Sequence, residues 1–440
     1  MRVIHLLRKF DPAEWGGTET AVQRLCDGLR QQGVTSVMYC PHVNGNGAYA
    51  TLFGIKDQNG RTDLHHHAPS ESHDGNHGEV KRFQSCVPTW GISRKEKREL
   101  MAVGGNLMSF NLLPAMWREP DIALVHTHTL GRLGGIASAV ARGRGLPFVV
   151  SIHGGLLDVA PVLKTTFNEP SHRGFEWGKI FGLLLRSRRL IHQADAVLTC
   201  NLTEAQLLRT KYPGKRIAIQ PHAIPVGTYQ VNHRSAARDV FPQICEREVL
   251  LSVGRIDPVK NQAWLITHAP EIFRNHPKAM LVLAGACTNE AYGQSLERQI
   301  RDLGISHRVL ITGGLPPDDP RLIGLMQESR AVLLPSISET FGLVLLEAWA
   351  AGTTVISSRT SGASALIRDG ENGWLFDLSD PRAFHLAVGQ TLLNPGLRAR
   401  LAELGRDLVS SDYEVSSVAG RVKQLYSELI EAKHALRHSS

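Results

Sequence analysis

Short apolar runs alternate with amphipathic stretches through the first half of the chain. Runs of strand length lie at residues 3–7, 123–126, 148–152 and 196–199. Between residues 18 and 30, apolar side chains recur at helical spacing, and Gly33 follows that segment. Continuous apolar runs are typical of strands that are buried on both faces, as in parallel sheets whose strands are connected by helices. The first half is therefore predicted to form a doubly wound α/β domain.

The same alternation starts again in the second half. Apolar runs lie at residues 249–253, 279–284, 309–311, 332–334 and 355–356, and a helical pattern covers residues 414–435. A polar stretch with Pro221, Pro225 and Gly227 separates the halves, and 440 residues are too many for one ordinary core. We predict two Rossmann-like domains that face each other across a cleft, over residues 1–225 and 226–411. Residues 412–440 are expected to cross back to the first domain as a helix.

Residues 42–82 interrupt the pattern and are rich in Gly, Asn, Asp and His. Histidines at positions 65–67, 73 and 77 raise metal binding as one alternative for this stretch. However, the stretch has no apolar periodicity to hold ligands rigidly, and it has no acidic partners at a defined spacing. We therefore interpret it as a mobile surface insertion and predict no metal site.

Composition places the chain among soluble globular proteins. Hydrophobic residues make up 42% and charged residues 20% of the sequence, and no apolar run approaches the roughly 18 residues of a membrane span. The first nine residues lack the apolar core of a signal peptide. The six cysteines show no paired spacing, which favours free thiols in a reducing cytoplasm over disulfides or a zinc site.

The positive charge of the chain is concentrated in its first half. Residues 1–225 hold 27 Lys and Arg against 18 Asp and Glu, a net +9, whereas the remainder holds 22 against 23, a net −1. No basic segment interleaved with aromatic residues indicates nucleic-acid binding. Attraction to anionic lipids, steering of an anionic substrate, and a merely solvated basic face all remain open.

One segment combines basic and apolar residues as a membrane-facing surface would. Residues 93–98 are mostly basic, and residues 107–113 with Met116 and Trp117 are largely apolar. Such a pair can lie on an anionic membrane surface. The alternative is a solvated helix followed by a helix of the core.

Residues 335–352 form the most informative segment of the sequence. After the apolar run that ends at Leu334, a turn with Gly342 leads into a predicted helix, with Glu339 before the helix and Glu347 inside it. A helix N-terminus presents free N–H groups and partial positive charge, and carboxylates accept hydrogen bonds from paired hydroxyls. The segment therefore indicates a site for a phosphorylated sugar. The alternative is a plain buried helix start with two solvated glutamates.

Two cations follow another predicted strand. Arg255 and Lys260 lie on the loop after residues 249–253, where they could neutralise the charge of a diphosphate. The alternative is a pair of ordinary surface cations.

Two further loops follow strands of the first half. His153 ends the run at 148–152 and precedes two glycines, so it is expected to point into the cleft, although strand-end histidines are often structural. Gly16 and Gly17 precede the first helix and would let the backbone approach a phosphate or sugar closely. Neither a G-x-G-x-x-G fingerprint nor a Walker loop is present, so a nicotinamide or Walker-type site is not supported.

Together these segments resemble the retaining glycosyltransferases of family 4, which have the GT-B fold. The resemblance covers most of the chain and is strongest over residues 249–377. It is carried by the two glycine-containing loops, by the cation pair, and by the Glu339–Glu347 segment with the glycines that follow it. The residue set to which it assigns roles is Gly16, Gly17, His153, Arg255, Lys260, Glu339, Phe341, Gly342, Leu343, Val344 and Glu347.

The resemblance implies a role for each part of this set. It implies that Glu339 contacts the hydroxyls of the donor sugar, that Glu347 contacts the nucleotide ribose, and that the amides of residues 341–344 hold the sugar and β-phosphate. Arg255 and Lys260 would neutralise the leaving diphosphate, so no metal would be needed. Together with His153, these two cations and Glu339 are the expected catalytic residues.

The implied activity is transfer of a sugar from a nucleotide-diphosphate donor with retained configuration, without another cofactor. The second domain would hold the donor, and the first would meet an acceptor glycan, glycolipid or small-molecule hydroxyl. The expected location is the cytoplasm, with contact to the inner face of an anionic membrane as an added hypothesis. Hydrolysis by paired carboxylates, epimerisation or phosphorolysis on the same fold, and nucleotide-sugar binding without catalysis are the alternatives.

Overall fold

The computed structural model describes residues 1–10, 16–42, 70–72, 79–93, 96–97, 100–101, 107–158 and 175–438. The strands of the first half are β1 Arg2–Leu6, β2 Thr35–Pro41, β3 Ser70–Ser72, β4 Glu79–Phe83, β5 Ile122–Thr127, β6 Phe148–Ile152, β7 Ala196–Thr199 and β8 Ile217–Ile219. Its α-helices are α1 Gly17–Gln31, α2 Leu112–Arg118, α3 Gly131–Arg144, α4 Lys179–Leu184, α5 Leu190–Gln193 and α6 Leu202–Lys211.

The second half has a similar composition of elements. Its strands are β9 Glu248–Val253, β10 Ala279–Ala284, β11 Val309–Gly313, β12 Ser329–Leu334, β13 Thr354–Ser358 and β14 Trp374–Phe376. Its α-helices are α7 Val226–Gln230, α8 Arg234–Val240, α9 Gln262–Asn275, α10 Glu290–Asp302, α11 Pro320–Glu328, α12 Leu343–Ala350, α13 Ser361–Leu366, α14 Pro381–Leu393, α15 Pro395–Leu408 and α16 Val415–His438. A π-helical turn, Val409–Tyr413, joins α15 to α16.

Each half is built on one sheet. The first has the strand order β3-β4-β2-β1-β5-β6-β7-β8 and is parallel except for the β3–β4 pair. The second has the order β11-β10-β9-β12-β13-β14 and is parallel throughout. The predicted pair of doubly wound domains is confirmed. In each sheet the order reverses between two central strands, which are β1 and β5 in the first and β9 and β12 in the second.

The strands are apolar runs because helices cover both faces of each sheet. In β1, Val3 and Ile4 are both fully buried but belong to different clusters of the core, one on each side of the sheet. All six residues of β10 are buried in the same way. The cysteines are free thiols, and four of the six are buried.

The last helix packs against the first domain. Tyr426 and Val422 of α16 join Leu25 and Leu29 of α1 in one cluster, which also contains residues of β1, β5, β6 and β7. Lys423 Nζ donates to the carbonyl of Gln32 at 2.8 Å, which ties the start of α16 to the end of α1. The helix therefore completes the core of the domain that the chain left about 190 residues earlier.

The chain passes between the two domains twice, and the two crossings lie side by side. The amide of Ile224 donates to the carbonyl of Tyr413 at 2.8 Å, and the amide of Val415 donates to the carbonyl of Ile224 at 3.2 Å. Glu414 closes the contact by accepting from the amide of Val226 at 3.1 Å.

The end of the predicted insertion belongs to the sheet. β4 pairs with β2 in parallel register and buries Val80 and Phe83, which corrects the prediction of a mobile stretch over residues 42–82. The charges of β4 concealed this strand in the sequence. In the fold, Lys81 Nζ lies 3.0 Å from a carboxylate oxygen of buried Glu119, and Arg82 donates to the carbonyls of Phe10 and Pro41. Residues 43–69 and 73–78 of the insertion lie outside the described residues.

Helix α15 contains two glycines in contrasting surroundings, which gives a stability test. A Cβ on Gly405 would collide with the ring of Trp349, whose side chain is fully buried and whose Nε1 donates to the carbonyl of Asn372. A Cβ on Gly396 would meet open space. We expect Gly405→Ala to lower the free energy of unfolding by about 1–3 kcal/mol through overpacking. Gly396→Ala should not lower the free energy of unfolding. Equal urea-unfolding midpoints for the two variants would contradict this packing.

Candidate functional site

The predicted site residues gather at the edge where the strand order reverses. Gly16 and Gly17 follow β1, Arg255 and Lys260 follow β9, and Glu339 follows β12. Because adjacent parallel strands end at the same edge of a sheet, each sheet collects its loops at its own reversal point. The two edges face each other, since Leu343 Cδ1 lies 3.7 Å from the position of a Cβ on Gly17.

The start of α12 is shaped by a glycine in the left-handed conformation. Gly342 has φ of +91° and caps the helix, so the first free amides belong to the turn that begins at Leu343. The preceding loop is held by the amide of Gly362, which donates to the carbonyl of Glu339 at 2.8 Å. Glu347 is the fifth residue of α12, just over one turn inside the helix.

The two predicted cations have different surroundings. Lys260 Nζ forms an ion pair with Glu339 Oε2 at 2.5 Å, and both side chains are about one-fifth exposed. Arg255 is 57% exposed and lies 3.2 Å from Asp257 Oδ2. Asp257 also accepts from the amides of Val259 and Lys260, which fixes the loop between β9 and α9. The structure thus brings Lys260 and Glu339 into direct contact and leaves the guanidinium of Arg255 facing solvent.

The loop before α12 also contacts the first domain. Asn201 Nδ2 donates to the carbonyl of Thr340 at 2.6 Å, and the Thr340 hydroxyl lies 3.5 Å from the carbonyl of His153. The His153 loop is itself anchored by buried Glu204, whose carboxylate accepts from the amides of Leu157 and Asp158. His153 therefore reaches the interface between the domains, and its main-chain carbonyl is the atom in contact with the second domain.

The ring of His153 belongs to a row of four histidine rings that are joined by hydrogen bonds. His5 Nδ1 and His128 Nε2 are 3.0 Å apart, His128 Nδ1 and His153 Nε2 are 2.8 Å apart, and His153 Nδ1 and His222 Nε2 are 3.1 Å apart. Both ring nitrogens of His153 are thus engaged by other histidines. The open position is at one end of this row of rings, where buried His222 Nδ1 has no hydrogen-bond partner among the residues that the structure describes. The His222 ring lies 4.5 Å from that of Phe341, in the loop before α12.

A fifth histidine creates a possible set of metal ligands. Nitrogens of His5, His126 and His128 lie within 4.8 Å of one another in the core. Each of these rings already has hydrogen-bond partners; His126, for example, lies 2.5 Å from the Tyr426 hydroxyl and 2.7 Å from that of Ser151. A neutral imidazole carries one donor and one acceptor, so hydrogen bonds alone satisfy this cluster. The geometry is that of a hydrogen-bonded network and does not require a metal.

Burial keeps these histidines neutral. It lowers the pKa of His5 to about 3 and that of His153 to about 4. Burial, followed by the neighbouring histidines, also lowers the pKa of His126 and of His128. The site therefore presents uncharged imidazoles beside the two cations and two carboxylates of the second domain.

Comparisons with known proteins agree with this geometry. The family model described as "Glycosyl transferases group 1" matches residues 234–408, and the model described as "Glycosyl transferase 4-like domain" matches residues 16–223. The chain belongs to the group 1 glycosyltransferases. The resemblance seen in the sequence, and the GT-B fold that it implied, are thereby confirmed.

Individual relatives of this glycosyltransferase are distant. D-inositol 3-phosphate glycosyltransferase of Acidothermus cellulolyticus is 29% identical over 64% of this chain and 62% of its own length. GDP-mannose-dependent alpha-(1-6)-phosphatidylinositol monomannoside mannosyltransferase of Mycolicibacterium smegmatis is 30% identical over 43% of this chain and 50% of its own. Among solved structures, Anabaena HepE in complex with UDP and glucose has a TM-score of 0.68 and 18% identity, and the match covers 97% of this chain and 100% of HepE.

Sequence reasoning missed several polar residues of the glycosyltransferase cleft. Arg24 of α1 is buried and pairs with Glu347 at 2.9 Å, although it stands between apolar residues of a predicted core helix. His222 lies in the polar stretch that was interpreted as the boundary between the two halves. His128 follows the run at 123–126 by two residues, and this strand-end histidine was the visible signal that a second histidine lies beside His153.

Because the buried histidines are neutral, the free energy of unfolding is expected to depend on pH. Because the pKa of folded His5 lies below the unfolded value of about 6.5, the unfolded chain binds the proton first, and stability falls as the pH drops below about 6.5. Each such histidine contributes a slope of up to about 1.4 kcal/mol per pH unit. We expect His5→Gln to flatten the decline of the urea-unfolding midpoint between pH 7 and pH 5. The exposed His307→Gln should leave the slope unchanged, and equal slopes in all three proteins would contradict a neutral His5.

Proposed function

We propose that this glycosyltransferase transfers a hexosyl group from a nucleotide-diphosphate donor to an acceptor hydroxyl, with retention of configuration and without a metal. The observation that carries the proposal is the Lys260–Glu339 ion pair beside the amides that open α12, opposite Gly17. Cations and free amides suit a diphosphate, and carboxylates suit the hydroxyls of a sugar. All of these groups meet at one edge of the cleft.

Each residue has a role in this proposal. Glu339 accepts from hydroxyls of the donor sugar, and Glu347 accepts from those of the ribose. The amides of residues 341–344 hold the sugar and the β-phosphate, and the backbone at residues 16–17 covers the diphosphate from the first domain. Arg255 and Lys260 neutralise the charge that develops on the leaving diphosphate, which supplies the stabilisation that a metal provides elsewhere.

The pairing of Glu339 supports the proposed stereochemical outcome. Glu339 is already paired with Lys260 and binds hydroxyls in this proposal, so it is not free to attack the sugar. We therefore propose a same-face displacement, in which the bond between the anomeric carbon and the diphosphate breaks as the acceptor oxygen bonds to that carbon from the same side. The leaving diphosphate receives the proton of the acceptor hydroxyl. His153, with both ring nitrogens engaged, contributes through its main-chain carbonyl and through the position of its loop.

For the choice of donor base and of acceptor class, the support comes from the relatives alone. One relative is named for inositol phosphate, another for GDP-mannose and a phosphatidylinositol mannoside, and HepE binds UDP and glucose. We propose an acceptor of polysaccharide, glycolipid or related glycoconjugate synthesis. A thermal-shift panel of UDP, GDP and ADP sugars is the experiment that identifies the donor, and stabilisation by none of them would contradict the proposal.

Substitutions of the two glutamates should have different effects on ligand binding. Glu347→Gln is expected to weaken the free nucleoside diphosphate and the whole donor by similar factors, because both carry the ribose. Glu339→Gln should leave the free nucleoside diphosphate bound normally and weaken only the sugar-bearing donor. Isothermal titration of both ligands against both variants measures this difference. Identical effects of the two substitutions would refute the assigned roles.

The alternative activities predict different products. An epimerase would change the donor without an acceptor, a phosphorylase would consume inorganic phosphate, and a binding protein would release no nucleoside diphosphate. Incubation of the identified donor with and without acceptor, followed by assay of released nucleoside diphosphate, separates these possibilities from transfer.

The predicted membrane-facing segment is only partly exposed. In the stretch from residue 107 to residue 117, Leu107, Met108, Leu112 and Met116 are buried, which agrees with the core-helix alternative. Most of the basic residues at 93–98 lie outside the described part of the chain. No helix in the described ranges is both long and apolar enough to cross a bilayer.

A different surface of the first domain supports contact with a membrane. The short helix α4 has no buried residue, and Ile180, Leu183 and Leu184 are 67%, 80% and 69% exposed. The i, i+3, i+4 spacing places these three side chains on one face. Four exposed cations flank the helix without an ion pair among the described residues: Lys179, Arg186, Arg188 and Arg189. We propose that this α4 surface lies on the anionic inner face of the cytoplasmic membrane.

Liposome co-sedimentation tests the α4 surface. We expect binding to anionic vesicles at low salt that weakens at high salt, since each cation near the surface contributes about 1 kcal/mol. Leu183→Glu with Leu184→Glu should abolish the binding. A matched control is Leu386→Glu with Leu393→Glu, because these leucines of α14 are similarly exposed but belong to the second domain. Failure of the wild-type protein to bind anionic vesicles would favour a soluble acceptor.

A further inference from the structure

Arg24 joins the two domains at the candidate donor site. It belongs to α1 of the first domain, and its nitrogen Nη2 lies within hydrogen-bonding distance of three groups in the second half of the chain. The distances are 2.8 Å to the Tyr229 hydroxyl, 2.7 Å to Asp318 Oδ1 and 2.9 Å to Glu347 Oε1. The first domain therefore already occupies the carboxylate to which the proposed function assigns the ribose.

This contact closes the approach to Glu347. The side chains of Arg24 and Glu347 are only 4% and 8% exposed. Arg24 Nε and Nη1 are also inaccessible, so neither solvent nor a ligand reaches these nitrogens. A pair of ribose hydroxyls can bind to the Glu347 carboxylate only after the guanidinium has moved away from it.

A second contact closes the neighbouring part of the cleft. Leu343 Cδ1 lies 3.7 Å from the position of a Cβ on Gly17, which is an ordinary van der Waals distance. The proposed function places the diphosphate between the backbone at Gly17 and the amides that open α12, and the side chain of Leu343 lies in that space. The close approach of α1 to α12 therefore obstructs the diphosphate as well as the ribose.

The hydrogen bonds of Arg24 are incomplete in this closed arrangement. Nε and Nη1 have no acceptor among the described residues, so the guanidinium forfeits hydrogen bonds that water would provide. Its single positive charge faces two carboxylates, and the side chain of Asp318 is already 36% exposed. When the domains separate, water reaches all of these groups, and their hydration offsets part of the loss of the ion pair. A ligand therefore has to supply only the remaining difference.

We propose that Arg24 holds the unliganded cleft closed, and that the donor binds after the domains have turned apart and the guanidinium has left Glu347. This inference rests on the proposed donor site. A ligand that binds only the open arrangement shifts the protein toward that arrangement. Its apparent affinity is reduced in proportion to the fraction of molecules that are open before it binds.

Isothermal titration with UDP, GDP and ADP, together with small-angle X-ray scattering of the unliganded protein, tests this role. Arg24→Met removes the charge and keeps an apolar side chain. Asp318→Asn weakens the same contact from the second domain, and asparagine tolerates the left-handed backbone at this position, where φ is +63°. The matched control is Arg132→Met, which removes a buried arginine whose partner, Glu176, also lies in the first domain.

We expect Arg24→Met to have a larger radius of gyration than the wild-type protein and to bind the preferred nucleoside diphosphate more tightly. The gain in affinity is about tenfold if about one wild-type molecule in ten is open before binding. Asp318→Asn should change both quantities in the same direction, but by less. Arg132→Met should match the wild-type protein in both, and thermal melts check that each variant is folded.

Weaker nucleotide binding by Arg24→Met would overturn the inference, because it would mean that the arginine supports the bound donor. Equal radii of gyration of the wild-type protein and Arg24→Met would overturn it as well, whatever their affinities. Failure of the proposed function has a different signature. In that case Arg24→Met would still have the larger radius of gyration, but neither protein would bind a nucleotide, which would refute the donor site and leave only the closing contact.

Discussion

Parallel strands bring their carboxyl ends to one edge of a sheet, and this constraint determines where the polar groups of the chain meet. In both sheets the loops diverge at the point where the strand order reverses, so the space between them opens at that edge. Gly16 and Gly17 at the start of α1 and the left-handed Gly342 before α12 place two helix starts on opposite sides of this space. Residues separated by more than 300 positions in sequence, such as Gly17 and Leu343, therefore become neighbours.

Buried charges at this edge are held in two different ways. Glu204 is almost fully buried, and its carboxylate accepts from backbone amides of the His153 loop, so its charge fixes a loop. Arg24 and Glu347 form a buried pair between the domains, and removal of one partner from such a pair costs about 3–5 kcal/mol. The first arrangement leaves both carboxylate oxygens bonded, whereas the second leaves Arg24 Nε and Nη1 without an acceptor among the described residues.

Local patterns in the sequence were sufficient for most of the central strands of both sheets and for part of the candidate site. Continuous apolar runs predicted the central strands, and the positions of Lys260 and Glu339 after strand ends placed at one edge of the sheet the two side chains that form an ion pair there. β4 was not predicted, because its lysine is neutralised by a glutamate that lies almost 40 residues away, and its arginine donates to backbone carbonyls of Phe10 and Pro41. The row of histidine rings and the contacts of Arg24 were missed for the same physical reason. Their partners come from distant strands and helices, and no periodicity within one segment records such contacts.

The paired crossings at Ile224 and Tyr413 have a mechanical consequence. Two separate connections between domains would permit sliding as well as rotation, but here the two strands of chain are hydrogen-bonded to each other at one place. They act as a single pivot, and the sheets on either side can turn about it without shearing past one another. Helix α16 packs in the first domain and α15 in the second. A rotation of the domains about this pivot therefore also twists the short Val409–Tyr413 segment between the two helices. The π-helical winding of that segment lies where an opening and closing cleft would concentrate its torsion.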